Sequence, residues 1–424
     1  MFRVTYYKCR INLEVFHVLT DGMGGINFLK ELTYQYLRLA HKDLQEKLGD
    51  SLSVDTSLNR EDSFLKNYKK SSAKGYQTKK AYLIRGEKLR PGEFGVMHGY
   101  MKIPELKRVC HAMEISINEY LVSVYIWSVY TECLHGMPSK CPIRVAVPVN
   151  LRPYFNSITT KNFFVMVSAE FHPTKETYTF AEVAAIVKES LRSQINRENL
   201  EKLFSYNVSN EKLLIARVVP LFLKNLAMKY VYTTSALANT ATITNIGNIS
   251  VTEEYRPYVE MFHAFLAMSK GQHLKGTICS YGDTLVFSFS YDLVDASVQR
   301  GFFRKIASDG IAVEIKSNMS KCRNCNVEIS DETERCPLCG SVLEYTGEVE
   351  NMYPDVRVHT RKMTMISKIY LFCALLVEVL LIYINVVTES QIAWSAITGL
   401  GFFYGYMLIR FAILGKTGYR AKIT

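Results

Sequence analysis

Residues 16–25 read "FHVLTDGMGG". His17 stands four residues before Asp21 and five before Gly22. Upstream, 3–8 and 11–16 read as short strands. Ile11, Leu13 and Val15 alternate with Asn12, Glu14 and Phe16, the period of a half-buried strand. Lys8-Cys9-Arg10 suits the tight connection between them. Downstream, Ile26, Leu29, Leu32, Tyr36 and Leu37 recur at helical spacing, which predicts an amphipathic helix over about 25–41. His17 thus falls where a strand ends and a Gly-rich turn enters a helix. Taken alone, His-x3-Asp-Gly is a weak signal and reads first as a strand-end histidine in a glycine turn.

The rest of the first 310 residues continues this mixed pattern. Residues 43–80 are polar and lysine-rich and read as an exposed crossover. A strand is predicted at 93–103 and a helix at 104–113. A buried helix follows in "ISINEYLVSVYIWSVYTECL", with Ser116 as its cap. "PIRVAVPVNLRPYF" (142–155) and "NFFVMVSAEF" (162–171) read as strands, and 179–198 and 209–230 as helices. "TATITNIGNISV" (240–251), "MFHAFLAM" (261–268), "KGTICSYGDTLVFSFSYD" (275–292) and a helix at 295–307 complete an α/β domain. Its sheet is expected to be mixed rather than purely parallel.

The C-terminal quarter changes character. Cys322-x2-Cys325 and Cys336-x2-Cys339 are two knuckles that can close a tetrahedron of thiolates. A four-thiolate shell leaves no open position, so the expected Zn2+ is structural, in a ribbon over 318–344. The other six of the ten cysteines are scattered, which points to a reducing compartment rather than a disulfide framework. A polar linker spans 345–365. Two apolar stretches then lie within 366–415, at 369–387 with a single charge, Glu378, and at 392–409. Each is long enough to span a bilayer. Arg361, Lys362 and Lys368 precede the first, and Arg410, Lys416, Arg420 and Lys422 follow the second, while the connecting "TESQ" carries no positive charge. This pattern predicts two spans with the N-terminal domain and the C-terminus both cytoplasmic. Gly401 and Gly405 would allow close helix packing, and Glu378 should face a helix partner. The start "MFRVTYYKCR" has no apolar core of a signal peptide. The net charge of +11 over 424 residues favours anionic partners such as a membrane surface or a phosphate-bearing ligand. No basic-aromatic repeat points to nucleic acid.

The segment "INLEVFHVLTDGMGGINFLKELTYQYL" resembles the signature of the HxxxDG acyl-CoA-dependent acyltransferases. This superfamily shares the chloramphenicol acetyltransferase-like fold and includes nonribosomal condensation domains and alcohol acyltransferases. "VPVNLRPYF" resembles its internal motif, in which an arginine, here Arg152, pairs with the motif aspartate. "TITNIGNISV" resembles its Asn-x-Gly strand, and "LVFSFSYD" a late core strand. The resemblance covers about residues 3–308. It is closest to bacterial alcohol acetyltransferase-like proteins, some of which carry a C-terminal zinc ribbon and membrane helices, and it implies a bacterial plasma membrane for the anchor.

The resemblance implies a two-lobed domain with a tunnel between the lobes, and acetyl-CoA or another acyl-CoA as co-substrate. His17 would be the general base that takes a proton from an alcohol acceptor as it attacks the thioester, with no acyl-enzyme. Asp21 would pair with Arg152 to hold the loop. Gly22 would let the chain turn sharply without filling the tunnel. Thr244 and Asn245 are candidates for the oxyanion donor, or else satisfy backbone groups at a strand end. Two departures stand out. Phe16 occupies the position of a first histidine common in the superfamily, and only sixteen residues precede His17, so the N-terminal lobe is expected to be incomplete. The expected function is therefore a membrane-anchored acyl-CoA-dependent O-acyltransferase. The alternative is a non-catalytic interaction protein on the same scaffold, docking a protein partner through its zinc ribbon.

Overall fold

The computed structural model describes residues 2–47, 61–69, 79–89, 94–212, 219–269, 271–317, 320–321, 328–329, 361–388 and 397–406. The alternation in the first fifteen residues forms an antiparallel hairpin, β1 (Phe2–Tyr7) with β2 (Arg10–Val15). Lys8 sits in the left-handed region at its turn, φ 49°. Helix α1 (Gly22–Ala40) follows. It starts three residues before the predicted position because Asp21 caps it, accepting from Gly24 N–H.

The following elements are β3 (Gly95–Lys102), α2 (Ile103–Ala112), α3 (Ile117–Ser128), β4 (Ile143–Asn150) and β5 (Phe164–Phe171). Then come α4 (Phe180–Gln194), α5 (Arg197–Lys212), α6 (Leu221–Leu237), β6 (Ala241–Asn248), β7 (Leu274–Tyr281), β8 (Thr284–Tyr291), α7 (Ser297–Ser308) and β9 (Val313–Ser317). Seven strands form one sheet in the order β5-β4-β6-β7-β8-β3-β9. It is mixed: β4–β6 and β6–β7 pair parallel, and the other neighbours antiparallel.

Ser116 caps α3 in a reciprocal capping box with Glu119, and Arg192 then grips the Glu119 carboxylate at 2.8 Å. Tyr125 of α3 and Phe302 and Phe303 of α7 pack against Phe287 and Phe289 of β8 to make the main core on one face of the sheet. On the opposite face, Ile26 of α1 joins Cys279, Val286, Ile249 and Phe262 in a smaller cluster.

Several expectations are corrected. Among the described residues the helical region after 179 is three helices, not two, because Asn196 caps α5 and Pro220 opens α6. Past the expected domain bound at 310, β9 adds an edge strand beside β3. Residues 261–268 form no ladder. Sheet side chains take their carbonyls instead, with Ser290 Oγ donating to Leu266 O at 2.6 Å and Lys275 Nζ to Ala267 O at 2.8 Å. The crossover is not wholly exposed either. Its short helix Ser63–Lys66 inserts Phe64 against Phe163, ring centroids 5.0 Å apart.

Two compact units divide the chain, Met1–Leu89 with Phe94–Tyr353, and Arg90–Glu93 with Pro354–Thr424. In the second, α8 (Arg361–Val387) contains Ile369–Val387, long and apolar enough to cross a membrane. Residues 397–406 are helical and pack on it: Thr398 Oγ1 donates to Glu378 Oε2 at 3.4 Å and Tyr370 O–H to Phe402 O at 3.3 Å. The rest of the second apolar stretch lies outside the described residues, so one membrane-length helix is described where two were expected. Cys322, Cys325, Cys336 and Cys339 also lie outside them. Among the described residues no cluster of His, Cys, Asp or Glu could hold a metal. A two-residue ladder pairs Ser320–Lys321 with Glu328–Ile329 and brackets the first knuckle in sequence.

Candidate active site

The loop between β2 and α1 is held from its aspartate. Asp21 is buried, and Arg152, just past the end of β4, meets it with both terminal nitrogens: Nη1 to Oδ2 at 2.8 Å and Nη2 to Oδ1 at 3.1 Å. The guanidinium is held from its other side as well, with Nε on Thr159 O at 2.9 Å and Nη2 on Lys161 O at 2.8 Å. The carboxylate further accepts the N–H groups of Gly24 and Phe163, each at 3.1 Å. One carboxylate thus caps α1, fixes the entry of β5 and holds the arginine turn, through charge-assisted bonds on a desolvated pair.

This clamp leaves His17 outside it. The His17 ring is exposed and stands edge-on to Phe164 at 5.5 Å. Its backbone carbonyl accepts from Asn162 Nδ2 at 2.8 Å. The ring borders an open cavity of about 550 Å³, whose wall includes Phe16, Val18, Phe64, Phe164 and Met166. That wall is mostly apolar. Asn162 is one of its polar members, and its Oδ1 is buried with no hydrogen-bond partner among the described residues.

The glycine requirement falls on a different residue from the one expected. Gly22 opens α1 without a left-handed φ, and a Cβ there would sit 3.6 Å from Ile246 Cγ1, an ordinary contact. A Cβ on Gly24 would collide with Thr20 Oγ1 and come within 2.8 Å of Thr160 O. Gly24 lets the helix start pass under the 159–161 turn, where Thr20 Oγ1 itself donates to Thr160 O at 2.6 Å.

Thr244 and Asn245 lie on β6, the strand whose Ile246 abuts Gly22. Asn245 closes a bulge, its Oδ1 accepting from Gly247 N at 2.8 Å and its Nδ2 reaching Asn118 at 3.3 Å. Ile243 enters the main core, so Thr244 points to the opposite face of the sheet. There it heads a polar row the sequence does not announce. Register pairs Thr244 with Thr277, Thr277 with Ser288, Ser288 with His98 and His98 with Lys316. His98 is fully buried, with Nδ1 2.7 Å from Ser288 Oγ. Its ring stacks near His263 at 4.6 Å, and His263 Nε2 lies 2.7 Å from the Tyr100 hydroxyl. Burial pushes both imidazoles down, His263 to about 4, with the nearby Arg10 charge adding to it. Burial also lowers the Lys275 ammonium to about 8.

Asn162, Gly24 and the members of this row beyond Thr244 are absent from the sequence-predicted set. The alternation of His98 with Tyr100 and of Ser288 with Ser290 is the signal that could have found the row.

No curated protein matches the chain by sequence. Residues 353–424 match a family model described as a family of unknown function (DUF6320). Among solved structures the chain is similar to the nonribosomal peptide synthetase FmoA3 in its AMPPNP-bound form, at 15% identity and a TM-score of 0.45 over 71% of this chain and 30% of that one. It is also similar to the epimerization domain of the third module of tyrocidine synthetase B, at 12% identity and 0.41 over 70% and 68%. A third similarity is to the trichothecene 15-O-acetyltransferase TRI3 of Fusarium sporotrichioides, at 12% identity and 0.40 over 68% and 63%. The chain therefore spans less than a third of the length of the whole synthetase.

Proposed function

We propose that the protein is an acyl-CoA-dependent O-acyltransferase with His17 as general base. The observation that carries this reading is the arrangement around Asp21: a buried bidentate clamp on Arg152 holds the loop, while His17 is left exposed at an apolar cavity. A base needs access to substrate and a fixed backbone, and this loop supplies both. An alcohol bound in the cavity would give its proton to the neutral imidazole as its oxygen attacks the thioester carbonyl. The carbon–sulfur bond then breaks, and the departing coenzyme A thiolate takes the proton back from the imidazolium. Thr244 or Asn245 would steady the oxyanion. Asp21 and Arg152 act as positioning residues. The apolar wall suits an acceptor or acyl group with substantial hydrocarbon character.

The same reading anchors the protein in a membrane through the helix at 369–387 and the apolar stretch after it, with the N-terminal domain cytoplasmic. It places a structural zinc on Cys322, Cys325, Cys336 and Cys339. The paired strands bracketing 322–327 support such a ribbon.

One observation favours the alternative, a non-catalytic interaction protein. β1 turns its apolar residues outward, with Tyr6 84% exposed and Phe2 and Val4 exposed beside it. Such a face invites a protein partner.

Release of free thiol from acetyl-CoA, with a panel of alcohols, separates the two. Turnover that His17→Ala abolishes in a folded protein supports the enzyme. Turnover that survives the substitution sinks His17 as base, and a folded, zinc-loaded chain that neither turns over nor binds coenzyme A favours the interaction protein.

A further inference from the structure

Helix α6 is rooted at its C-terminal end and exposed along the rest. Ala81 N–H donates to Leu237 O at 3.1 Å, and Arg144 Nη1 to Ala238 O at 2.6 Å. Ahead of this root, Leu221, Leu226 and Tyr230 are 71%, 62% and 72% exposed, and Met228, Val231 and Tyr232 are exposed with them. At 100° per residue Leu223, Leu226 and Tyr230 fall within about 60° of one another, with Lys224 and Lys229 to either side, so one face is apolar and flanked by cations. So much exposed apolar surface on one helix marks a contact with a partner or with lipid.

Its charge favours lipid. From residue 213 to 252 the sequence contains no aspartate or glutamate, while Arg217, Lys224 and Lys229 are basic. Lysines can stretch to phosphate while their stems stay in hydrocarbon, and tyrosines suit the headgroup level. The helix has seventeen residues. At 1.5 Å per residue that is about 26 Å, short of the roughly 30 Å hydrocarbon core, so it would lie in the interface rather than span.

We infer that α6 is an interfacial helix that docks the catalytic domain onto an anionic bilayer surface, with Leu223, Leu226 and Tyr230 among the acyl chains and the flanking Lys224 and Lys229 at the headgroup phosphates. The inference rests on the membrane anchoring proposed above. It deepens that reading: an acyltransferase domain held flat on lipid would draw apolar substrates from the membrane itself.

The test uses the full chain reconstituted in vesicles of phosphatidylcholine, with and without phosphatidylglycerol. Tyr230→Trp is made in a background where Trp127 and Trp394 are replaced by phenylalanine, so that the introduced indole is the sole tryptophan emitter. Lipids brominated on the acyl chains should quench most of that emission, more strongly with phosphatidylglycerol, and Lys224→Glu with Lys229→Glu should abolish that difference. Hydrogen exchange over 221–237 in the unaltered chain is the parallel measurement, with slower exchange expected on the anionic vesicles than in detergent. Emission that brominated lipid leaves unchanged, with exchange equal in both settings, overturns the proposal. Quenching by aqueous iodide would then mean a solvated helix, and shielding from both quenchers a protein cover such as a second copy. A chain that fails to float with the vesicles at all overturns the anchor instead, and a chain that floats with the introduced indole unquenched overturns only α6.

Discussion

Arg152 holds Asp21 by two parallel hydrogen bonds, 131 residues apart in sequence, and the pair is almost wholly withdrawn from water. The contact joins the start of α1 to the turn after β4. Removing the arginine would strand a buried carboxylate, a loss of about 3–5 kcal/mol. Arg152→Ala is therefore expected to lower the melting temperature and abolish turnover together. Arg152→Lys keeps the charge but not the fork, so it should retain more stability than Arg152→Ala and still lose most turnover. Thermal melts beside thiol-release assays on both variants check this.

Gly22 and Gly24 should respond oppositely. Gly24→Ala drives a methyl group into the Thr160 carbonyl and Thr20, and should destabilise the protein by about 1–3 kcal/mol, the range for overpacking. Gly22→Ala meets only Ile246 at van der Waals distance. Alanine is about 1 kcal/mol better than glycine inside a helix, so this change should be neutral or stabilising. Denaturant midpoints of the two variants decide it, and a severe loss in Gly22→Ala would show that the first helical turn is constrained in another way.

Asn162 spends its amide N–H on the His17 carbonyl. Asn162→Asp keeps the shape but removes that donor, and a hydrogen bond of about 1–2 kcal/mol corresponds to roughly a tenfold effect. The expected result is a lower kcat with the acyl-CoA KM little changed. A change confined to KM would mean that Asn162 binds substrate rather than positions the loop.

How much of this is legible beforehand depends on range. The strand–turn–helix around His17 is written locally, in a two-residue alternation followed by helical spacing. Asp21 and Arg152 are linked in advance only by the family resemblance, since no local rule joins residues so far apart. Apart from Asn150 Oδ1, two residues before the arginine, the clamp's other ligands, Thr159 O, Lys161 O and the N–H groups of Gly24 and Phe163, are backbone groups. Backbone partners leave no side-chain signature. Residues 261–268 read as a regular element because Phe262, Phe265 and Leu266 are apolar. In fact the carbonyls of Phe262, Ala267 and Leu266 are taken by Cys279, Lys275 and Ser290 reaching up from the sheet. Nor does the helix expected over 209–230 show that the apolar side chains of α6 are left uncovered by the fold.

Zinc removal gives a test that does not depend on activity. The protein should purify with stoichiometric zinc, and Cys336→Ser should lose it. Because such a module folds on its metal, chelation should expose 318–344 to protease while the seven-stranded sheet keeps its melt. A zinc-free protein with an intact, protease-resistant 318–344 segment would refute the ribbon.

Acid should act through the histidine pair. His263 is held at about 4 by burial first, then by Arg10 and Lys316, and burial also pushes His98 well below its usual value of 6.5. Both histidines are therefore neutral in the folded protein at pH 7, but in the unfolded chain they titrate near 6.5. Below about pH 6.5 the unfolded state binds the extra protons, so stability falls as the pH drops. For His263 the fall is complete near pH 4, where the folded form protonates as well, and the gap amounts to about 3 kcal/mol. His98, whose Nδ1 is shared with Ser288 Oγ and whose ring faces His263, adds to it in the same direction. His263→Phe removes one titration and the Tyr100 hydrogen bond. The variant should be somewhat less stable at pH 8 and lose less than the parent between pH 6.5 and 4. Urea midpoints across that range measure both effects. Parallel curves for parent and variant would show that the acid sensitivity comes from other groups.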